Sequence, residues 1–311
     1  MKFKKPKFWD YKRPNLLSYL LLPLTLPILI KNTFFKKEIQ KGSKLKKICV
    51  GNIYVGGTGK TPLAILISKI FEEQNIKTAI IKKYYSDQVD EQKLINKYSK
   101  IICKKNRLDA LKEAEDKNFD CAIFDDGLQD KNINYDVSIV CFSNSQWIGN
   151  GFLIPAGPLR ENIASIKKYD AIVLNGNPSL NSKIIDEVKK INNKISIFES
   201  YYEPSNLDEF DRNLNYVAFS GIGNPDNFNE LLKEYKFKLI KKFDYPDHYN
   251  FKDNDIEKII KIASEINAQI ITTEKDFLRI SEKFQKKIKF LKLKLIINKD
   301  EIFKNFLRKD T

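Results

Sequence analysis

The chain has 311 residues, of which 42% are hydrophobic and 31% are charged, a composition typical of a folded protein and not of a disordered one. A chain of this length can hold a full hydrophobic core, and we expect it to form two domains. None of its four cysteines pairs with another at a metal-site spacing. Three fall in apolar, strand-like runs: Cys49, Cys121 and Cys141. Their use favours a reducing cytoplasm over a disulfide framework.

The net charge is +15, and residues 1–47, with thirteen Lys or Arg and two acidic residues, account for +11 of it. A nucleic-acid-binding protein usually spreads its positive charge over a groove-binding face. Concentration of the charge at one end of this chain therefore argues against a nucleic-acid partner.

The basic residues flank an apolar segment, residues 16–30, which Pro23 and Pro27 interrupt. This segment is too short to span a bilayer comfortably, and no small-residue cleavage site of a signal peptide follows it. Aromatic residues lie on both sides: Phe8, Trp9, Tyr11, Phe34 and Phe35. The pattern is typical of a helix lying in an anionic membrane surface, and residues 1–40 are predicted to be such a segment. The alternative is a segment packed on the protein's own core.

A glycine-rich turn follows the predicted strand 47–50 and opens a helix that has Pro62 near its start. Backbone N–H groups of such a turn, together with the helix N-terminus, can close around phosphate oxygens. The predicted nucleotide-binding residues are Tyr54, Val55, Gly56, Gly57, Thr58, Gly59, Lys60 and Thr61. Lys60 is expected to reach the β- and γ-phosphates, and the Thr61 hydroxyl to ligate Mg²⁺. Tyr54 occupies the usual first glycine position of this P-loop pattern, and the alternative is a turn without a ligand.

Short apolar runs follow the P-loop at regular intervals and predict strands at 78–81, 101–103, 121–124, 137–142, 171–174 and 195–202. Residues 107–117 are predicted to be a helix, and the polar run 87–100 reads as a loop. Near-continuous apolar strands alternating with helices predict an α/β domain with a mostly parallel, P-loop NTPase-like sheet. Asp125 and Asp126 follow one of these strands, where P-loop proteins place a Mg²⁺-binding acid. The alternative for them is an Asp-Gly turn.

A second block begins near Asn213 and predicts a smaller α/β domain. Its predicted strands are 216–219, 237–243 and 268–272, and its predicted helices are 226–234 and 253–266. Residues 288–297 alternate lysine with apolar residues, as an edge or half-exposed strand does. The predicted domain boundaries are therefore 1–40 for the N-terminal segment, 41–203 for the P-loop domain and 204–311 for the smaller domain.

His248 is the only histidine of the chain. It follows Asp247 in a proline-containing loop at the end of a strand, where functional side chains often gather. A structural role in the loop is the alternative. Asp90 and Glu91, in the polar run after the second strand, would by themselves pass for a solvated loop.

Several longer motifs resemble those of the tetraacyldisaccharide 4'-kinases of lipid A biosynthesis, along nearly the whole chain. They occur in the family's order at residues 51–62, 125–129, 149–153, 155–161, 170–176, 218–225, 247–249 and 272–276. The Pro-Ala-Gly-Pro-Leu-Arg-Glu run at 155–161 and the Gly-Ile-Gly-Asn-Pro run at 221–225 are far more specific than a P-loop. The apolar, basic N-terminus also resembles the membrane-associated start of the family.

This resemblance implies transfer of the γ-phosphoryl group of ATP to the 4'-hydroxyl of a tetraacylated glucosamine disaccharide 1-phosphate. It implies ATP and Mg²⁺ as cofactors and two α/β domains with the site between them. It also implies a lipid substrate, an anionic membrane surface as partner, and a peripheral or monotopic place at the cytoplasmic face of the inner membrane. In this family an Asp–His pair assists the attacking hydroxyl, and the motifs place that pair at Asp90 and His248.

The chain departs from the family pattern at three places and leaves two other functions open. Lys82 to Ser86 replace the usual Ser-Arg-Gly-Tyr-Gly, Val89 to Gln92 replace Gly-Asp-Glu-Pro, and Asp130 replaces a histidine. One alternative is a P-loop metallochaperone or switch GTPase, but Asn175 to Asn177 supply no guanine-reading Asn-Lys-x-Asp motif and no Cys/His payload site is evident. The other alternative is a non-enzymatic basic module that binds nucleic acid or anionic lipid.

Overall fold

The computed structural model describes residues 5–34, 44–85 and 88–308. The strands, in chain order, are β1 Lys46–Gly51, β2 Thr78–Lys83, β3 Ile101–Lys104, β4 Cys121–Asp125, β5 Val137–Ser143, β6 Ala171–Asn175, β7 Ser196–Pro204, β8 Asn215–Ser220, β9 Lys238–Asp244, β10 Ala268–Thr273, β11 Ile288–Leu291 and β12 Leu293–Ile297. The helices are α1 Leu16–Leu20, α2 Leu26–Phe34, α3 Lys60–Glu72, α4 Val89–Tyr98, α5 Arg107–Asp116, α6 Asn181–Ile191, α7 Pro225–Glu234, α8 Asp253–Glu265, α9 Glu274–Phe277, α10 Glu282–Gln285 and α11 Asp300–Arg308.

The first sheet has eight strands in the order β12-β7-β6-β5-β1-β4-β2-β3. Neighbouring strands from β1 to β7 pair in parallel. In a parallel sheet the carboxyl ends of the strands meet at one edge, where ligands of open α/β sheets bind. The P-loop after β1 and the two aspartates at the end of β4 therefore share that edge, and the predicted mostly parallel sheet is confirmed.

Both faces of this sheet are covered, which explains the continuous apolar runs. On one face Ala79, Ile81 and Phe124 cluster with residues of α5. Alternate residues of the same strands, Ile80 and Ile123, point to the opposite face and are also fully buried. The helix α3 packs against β1, β2 and β4. Strands buried on both faces are typical of sheets whose connections are helices.

The second sheet has four strands in the order β11-β10-β8-β9, and all its pairings are parallel. Phe228 and Leu232 of α7 pack in one core cluster of this sheet, and Ile256 and Ile259 of α8 pack in the other. The predicted single strand 288–297 was wrong. It divides into β11 and β12, which belong to different sheets.

Residues 87–100 were predicted as a loop, but the structure forms α4 there. Its first turn carries Asp90 and Glu91, and its only buried residues are Asp90 and Ile95. Most residues of this helix are polar and it buries a single apolar side chain, so the segment resembles a solvated loop in the sequence, which explains the wrong prediction.

Contacts between Cα atoms divide the chain into two compact units. The first comprises residues 1–84, 98–201 and 295–311, and the second comprises 85–97 and 202–294. This partition differs from the predicted boundaries at three places. The described part of the N-terminal segment belongs to the first unit, residues 85–97 group with the smaller domain, and the C-terminal residues group with the larger one. The ring of Phe303 in α11 lies 4.9 Å from that of Phe198 in β7, which fixes the C-terminal helix to the first unit.

The apolar N-terminal segment forms two short helices, α1 and α2, joined by a 3-10 turn at Leu22–Thr25. Pro23 lies in the first turn of that connection, where its missing N–H prevents a continuous helix. A single predicted helix is therefore replaced by two. No helix in the described part of the chain combines the length and apolar character needed to cross a membrane. Residues 1–4 and 35–40 of the predicted segment lie outside the described residues.

Candidate active site

The predicted phosphate-binding turn lies between β1 and α3, in the first unit. Gly56 and Gly59 have φ values of 147° and 89°, which favour glycine because other residues are strained there. The side-chain amide of Asn52 donates to the Gly56 carbonyl at 3.3 Å and to Thr58 Oγ1 at 3.1 Å, so the turn is held from inside. A Cβ atom at Gly57 would meet nothing within 4 Å. The outer side of the turn is therefore open, and α3 begins at Lys60 with its N-terminal N–H groups available for an anion.

Tyr54, predicted within the nucleotide-binding segment, is completely buried. Its hydroxyl donates to the Asp10 carboxylate, and Lys5 Nζ lies 2.7 Å from the same Asp10 oxygen. Burial first, and then the Asp10 carboxylate, raise the pKa of Tyr54 well above its ordinary value. A Cβ atom at Gly56 would lie 3.2 Å from the Tyr54 ring. The side chain therefore supports the turn from inside and links it to the N-terminal segment, so only the backbone of Tyr54 remains for a ligand.

The structure brings two of the predicted metal ligands together. Thr61, in the first turn of α3, donates from Oγ1 to Asp125 Oδ2 at 3.0 Å. Asp125 ends β4 and is fully buried. Lys82 Nζ donates to the same Oδ2 at 2.7 Å, which balances the buried charge. Sequence reasoning missed this role of Lys82, although a lysine that continues the apolar run of β2 was a signal for it.

A magnesium ion fits the donors found here. Among the residues that the structure describes, no group of three or more His, Cys, Asp or Glu side chains could hold a metal. Mg²⁺ does not need such a cage, because it binds through one or two protein oxygens together with waters and substrate phosphates. Asp125 Oδ1 is buried without a hydrogen-bond partner in the described structure. Thr61 and Asp125 would therefore supply a hydroxyl and a carboxylate oxygen.

Asp126, the third predicted metal ligand, has a different environment. Its backbone adopts a φ of 62°, and Arg160 Nη1 donates to its Oδ1 at 2.8 Å. Burial raises the pKa of Asp126, but the charges of Lys60 and Arg160 lower it by more than burial raises it, so the net shift is downward. Asp126 is therefore an ionised carboxylate beside two cations. Sequence reasoning assigned no role to Arg160, although it lies in the most specific of the recognised motifs.

The Pro-Ala-Gly-Pro-Leu-Arg-Glu motif lies along the P-loop. Val55 N–H donates to the Pro158 carbonyl at 2.9 Å, and Arg160 N–H donates to the Ile53 carbonyl at 2.7 Å. These backbone bonds place the Arg160 side chain beside Asp126. The motif therefore supports the phosphate-binding turn through backbone hydrogen bonds and positions the Arg160 cation at the same edge of the sheet.

The second unit contains the other predicted pair, Asp90 and His248. His248 Nδ1 lies 3.1 Å from Asp90 Oδ1 and 3.2 Å from Oδ2. The Asp90 side chain is 3% exposed and that of His248 is 16% exposed. Arg279 donates to Asp90 Oδ2 through Nε at 3.0 Å and through Nη2 at 2.6 Å. The structure thus brings together two residues separated by 158 positions.

The carboxyl group of Asp90 has a strongly shifted pKa. Burial raises its pKa, but the hydrogen bond from His248 and the charges of Lys275 and Arg279 lower it more, and the net pKa lies well below the ordinary range. The carboxylate therefore stays ionised at neutral pH. A buried acid held ionised beside a histidine is a pattern that functional sites often show.

Lys275 and Arg279 complete this cluster, and sequence reasoning missed both. Lys275 lies in α9, whose N-cap Thr273 accepts a hydrogen bond from the Asp276 N–H at 3.1 Å. Its ammonium lies within 3.5 Å of Asp90, Glu91 and Asp247. The Thr-Thr-Glu-Lys-Asp motif at 272–276 was the available signal, since it positions a lysine directly after a buried strand.

Comparisons with known proteins identify the family of this chain. A family model described as tetraacyldisaccharide-1-P 4'-kinase matches residues 16–311. A tetraacyldisaccharide 4'-kinase of Pelagibacter ubique is 48% identical over 309 residues, covering 99% of this chain and 98% of the relative. Its counterpart in Rickettsia canadensis is 33% identical over 302 residues, covering 91% and 90%.

A solved structure shows the same fold. LpxK from Aquifex aeolicus, crystallised in complex with ATP, superimposes with a TM-score of 0.69 at 21% identity, covering 94% of this chain and 98% of that one. The family model and the two relatives span nearly the whole chain. The chain therefore belongs to the tetraacyldisaccharide-1-P 4'-kinase family.

Proposed function

We propose that this chain transfers the γ-phosphoryl group of ATP to the 4'-hydroxyl of a tetraacylated glucosamine disaccharide 1-phosphate in lipid A biosynthesis. The observation that supports this most directly is the Asp90–His248 contact. A nucleotide-dependent switch needs the P-loop and the magnesium ligands alone. A kinase that acts on an alcohol also needs a group that accepts the hydroxyl proton, and Asp90 with His248 is suited to that task.

The first unit holds the phosphate donor. The backbone N–H groups of the P-loop bind the phosphate oxygens, and Lys60 extends to the β- and γ-phosphates. Thr61 and Asp125 would hold Mg²⁺, which would neutralise charge on the phosphates. Arg160 adds a cation beside Asp126 at the same edge. Phosphoryl transfer depends chiefly on this kind of positioning and charge neutralisation.

The second unit acts on the acceptor. As the 4'-oxygen bonds to the γ-phosphorus and the bond to the β-phosphate oxygen breaks, the hydroxyl proton passes to Asp90, and ADP leaves. Arg279 binds Asp90 Oδ2, so Oδ1 is the less neutralised oxygen and the better proton acceptor. A carboxylate of low pKa is a weak base, which suits a loose transition state in which the proton leaves late.

The proposal is tested by measuring ATP turnover in detergent with and without the acylated disaccharide, and by locating the new phosphate in the product. We expect turnover to require the disaccharide and the product to carry phosphate at the 4' position. Turnover that the disaccharide does not change, or a preference for GTP, would favour the switch-type alternative.

Replacing Asp125 by asparagine is expected to raise the Mg²⁺ concentration for half-maximal activity by about 10- to 100-fold, the range known for groups that tune a metal site. The variant keeps the shape of the side chain but loses its charge. Titration of activity with MgCl₂ measures the effect.

The Asp125 experiment needs a control, because Lys82 loses its buried counter-ion and the fold loses stability. The double variant Asp125→Asn with Lys82→Met removes the buried lysine charge together with the carboxylate charge. Circular dichroism checks that each variant is folded. An unchanged Mg²⁺ requirement in both folded variants would return Asp125 to a structural role.

The N-terminal helices present an apolar surface to the outside. The exposed residues are Leu16, Leu17, Tyr19, Leu20, Leu24, Leu26, Leu29 and Ile30. The polar Ser18 and Thr25 are buried instead, and Asn150 donates to Ser18 Oγ at 3.0 Å. An inverted pattern of this kind, with lysines nearby in the sequence, favours contact with an anionic membrane surface. We propose that the protein lies at the cytoplasmic face of the inner membrane, and the exposed apolar surface and a lipid as the proposed substrate support its contact with a membrane.

The membrane proposal predicts that the double variant Leu20→Gln with Leu24→Gln binds anionic liposomes at least about tenfold more weakly, since burying one leucine side chain is worth roughly 1.5–3 kcal/mol. Point variants are better than a deletion, because the segment also contacts Tyr54 and Asn150. Ile302→Gln is the matched control, since that side chain is equally apolar and 57% exposed. Equal flotation of all three proteins would refute the proposed surface.

A further inference from the structure

We infer that Lys275 sets the proton arrangement of the Asp90–His248 pair: it donates to His248 Nε2, so that the single ring proton lies on Nδ1 and is donated to Asp90. This makes Lys275 a positioning residue. Its consequence for turnover rests on the proposed function, but the location of the ring proton does not.

The ammonium group of Lys275 has as many N–H donors as hydrogen-bond partners. A lysine ammonium has three N–H donors and no acceptor. Lys275 Nζ has three hydrogen-bond partners, at 3.1 Å to Glu91 Oε1, 3.3 Å to Asp247 Oδ1 and 3.4 Å to His248 Nε2. Since the ammonium can only donate, the histidine nitrogen that faces it must accept. Nε2 is then unprotonated.

Lys275 keeps its positive charge in this cluster. Burial lowers its pKa, but the carboxylates of Glu91, Asp247 and Asp90 raise it more, and the net shift is upward. The side chain is only 17% exposed. Lys275 therefore remains an ammonium at neutral pH and keeps all three donors.

The competing arrangement places a proton on Nε2. Glu91 Oε1 lies 3.5 Å from this nitrogen and Asp247 Oδ1 lies 3.8 Å from it, so an acceptor is within reach. The carboxylates of Asp90, Glu91 and Asp247 and the cations Lys275 and Arg279 surround the ring, and charge balance alone would tolerate a protonated imidazole. The contact with Lys275 excludes a proton on Nε2, because two N–H donors would then face each other at 3.4 Å.

The other ring nitrogen gives the same result. Nδ1 lies 3.1 and 3.2 Å from the two Asp90 oxygens. An ionised carboxylate only accepts, so Nδ1 must donate and must carry the proton. Lys275 and Asp90 thus impose opposite roles on the two ring nitrogens. The hydrogen bond at one nitrogen fixes the role of the other.

Nitrogen-15 NMR of the full-length protein labelled at histidine tests the inference directly, because the chain contains one histidine. At pH 7 we expect a pyrrole-type shift for Nδ1 and a pyridine-type shift for Nε2. A ring protonated only on Nε2, or on both nitrogens, would overturn the inference without any use of a variant.

Lys275→Met removes the donor while keeping a long side chain. We expect its spectrum to show a proton on Nε2 in addition to the one on Nδ1, since Glu91 Oε1, 3.5 Å away, can then accept from Nε2 while Asp90 still accepts from Nδ1. Lys97→Met is the matched control, because Lys97 bonds to Glu274 at 2.5 Å and should leave both His248 shifts unchanged. Unchanged shifts in Lys275→Met would show that Lys275 does not set the ring proton.

Kinetics separate this inference from the proposed function. Lys275→Met should lower kcat at least about tenfold, a part of the roughly 10²–10⁴-fold that acid–base assistance supplies, and leave KM for ATP unchanged. Lys275→Arg retains donors and charge and should restore part of kcat. A newly protonated Nε2 with a normal kcat would refute the role in turnover and leave the proton assignment intact. A normal kcat in His248→Ala would instead refute the proposed function.

Discussion

Replacing His248 with alanine is expected to lower kcat by roughly 10²–10⁴-fold, the usual contribution of acid–base assistance. His248 lies in the second unit and its ring bonds to Asp90, so its loss frees the carboxylate that is proposed to accept the hydroxyl proton. KM for ATP should change little, because the P-loop belongs to the first unit. Steady-state kinetics with saturating disaccharide measure both constants, and nearly unchanged turnover would leave His248 a loop residue.

A double-mutant cycle tests whether Asp90 and His248 act together. The partner variant is Asp90→Asn, which removes the carboxylate charge but keeps the side-chain shape and one oxygen that can accept from Arg279. Arg279 also keeps its contact with Asp276 at 3.2 Å. Residues that act as one unit give non-additive losses. We therefore expect the double variant to be about as slow as the worse single variant. Losses that multiply would show two independent roles.

Local sequence was sufficient for most of the fold. The apolar runs predicted β1 to β7. The central strands β4, β5 and β6 are buried along their whole length and leave a continuous signal. The same reasoning failed for α4, which buries little apolar surface. It also failed between β11 and β12, where one alternating pattern serves two sheets. Nothing in the local sequence of residues 288–297 indicates that the chain leaves one unit and enters the other.

The candidate site divides in the same way. The P-loop and the aspartates after β4 are contiguous motifs whose strand–turn–helix setting can be read directly from the sequence. The Asp90–His248 pair joins residues 158 positions apart, and only the family resemblance matched them. Lys82 pairs with the buried carboxylate of Asp125, and Arg279 pairs with that of Asp90, in each case far away along the chain. Such pairings depend on tertiary structure, and no spacing rule predicts them.

Lys60→Ala is expected to lower turnover by roughly 10²–10³-fold, the usual cost of removing one group that stabilises charge developing in the transition state. Lys60 is the first residue of α3 and follows Gly59, whose φ of 89° turns the backbone into the helix. The side chain is partly exposed at the open side of the P-loop. Asp126 keeps its Arg160 partner when Lys60 is lost, so the fold should be preserved.

The matched control for Lys60 is Lys69→Ala on the same helix. Lys69 is exposed in the last turn of α3, with its ammonium 4.6 Å from the centre of the Tyr98 ring. Both variants lose one lysine from the same helix, so they change the net charge of the protein equally. We expect the Lys69 variant to keep full turnover and the Lys60 variant to lose it, with similar melting temperatures. Equal turnover in the two variants would show that Lys60 does not contact the transferred phosphoryl group, and the P-loop would then bind nucleotide without taking part in its chemistry.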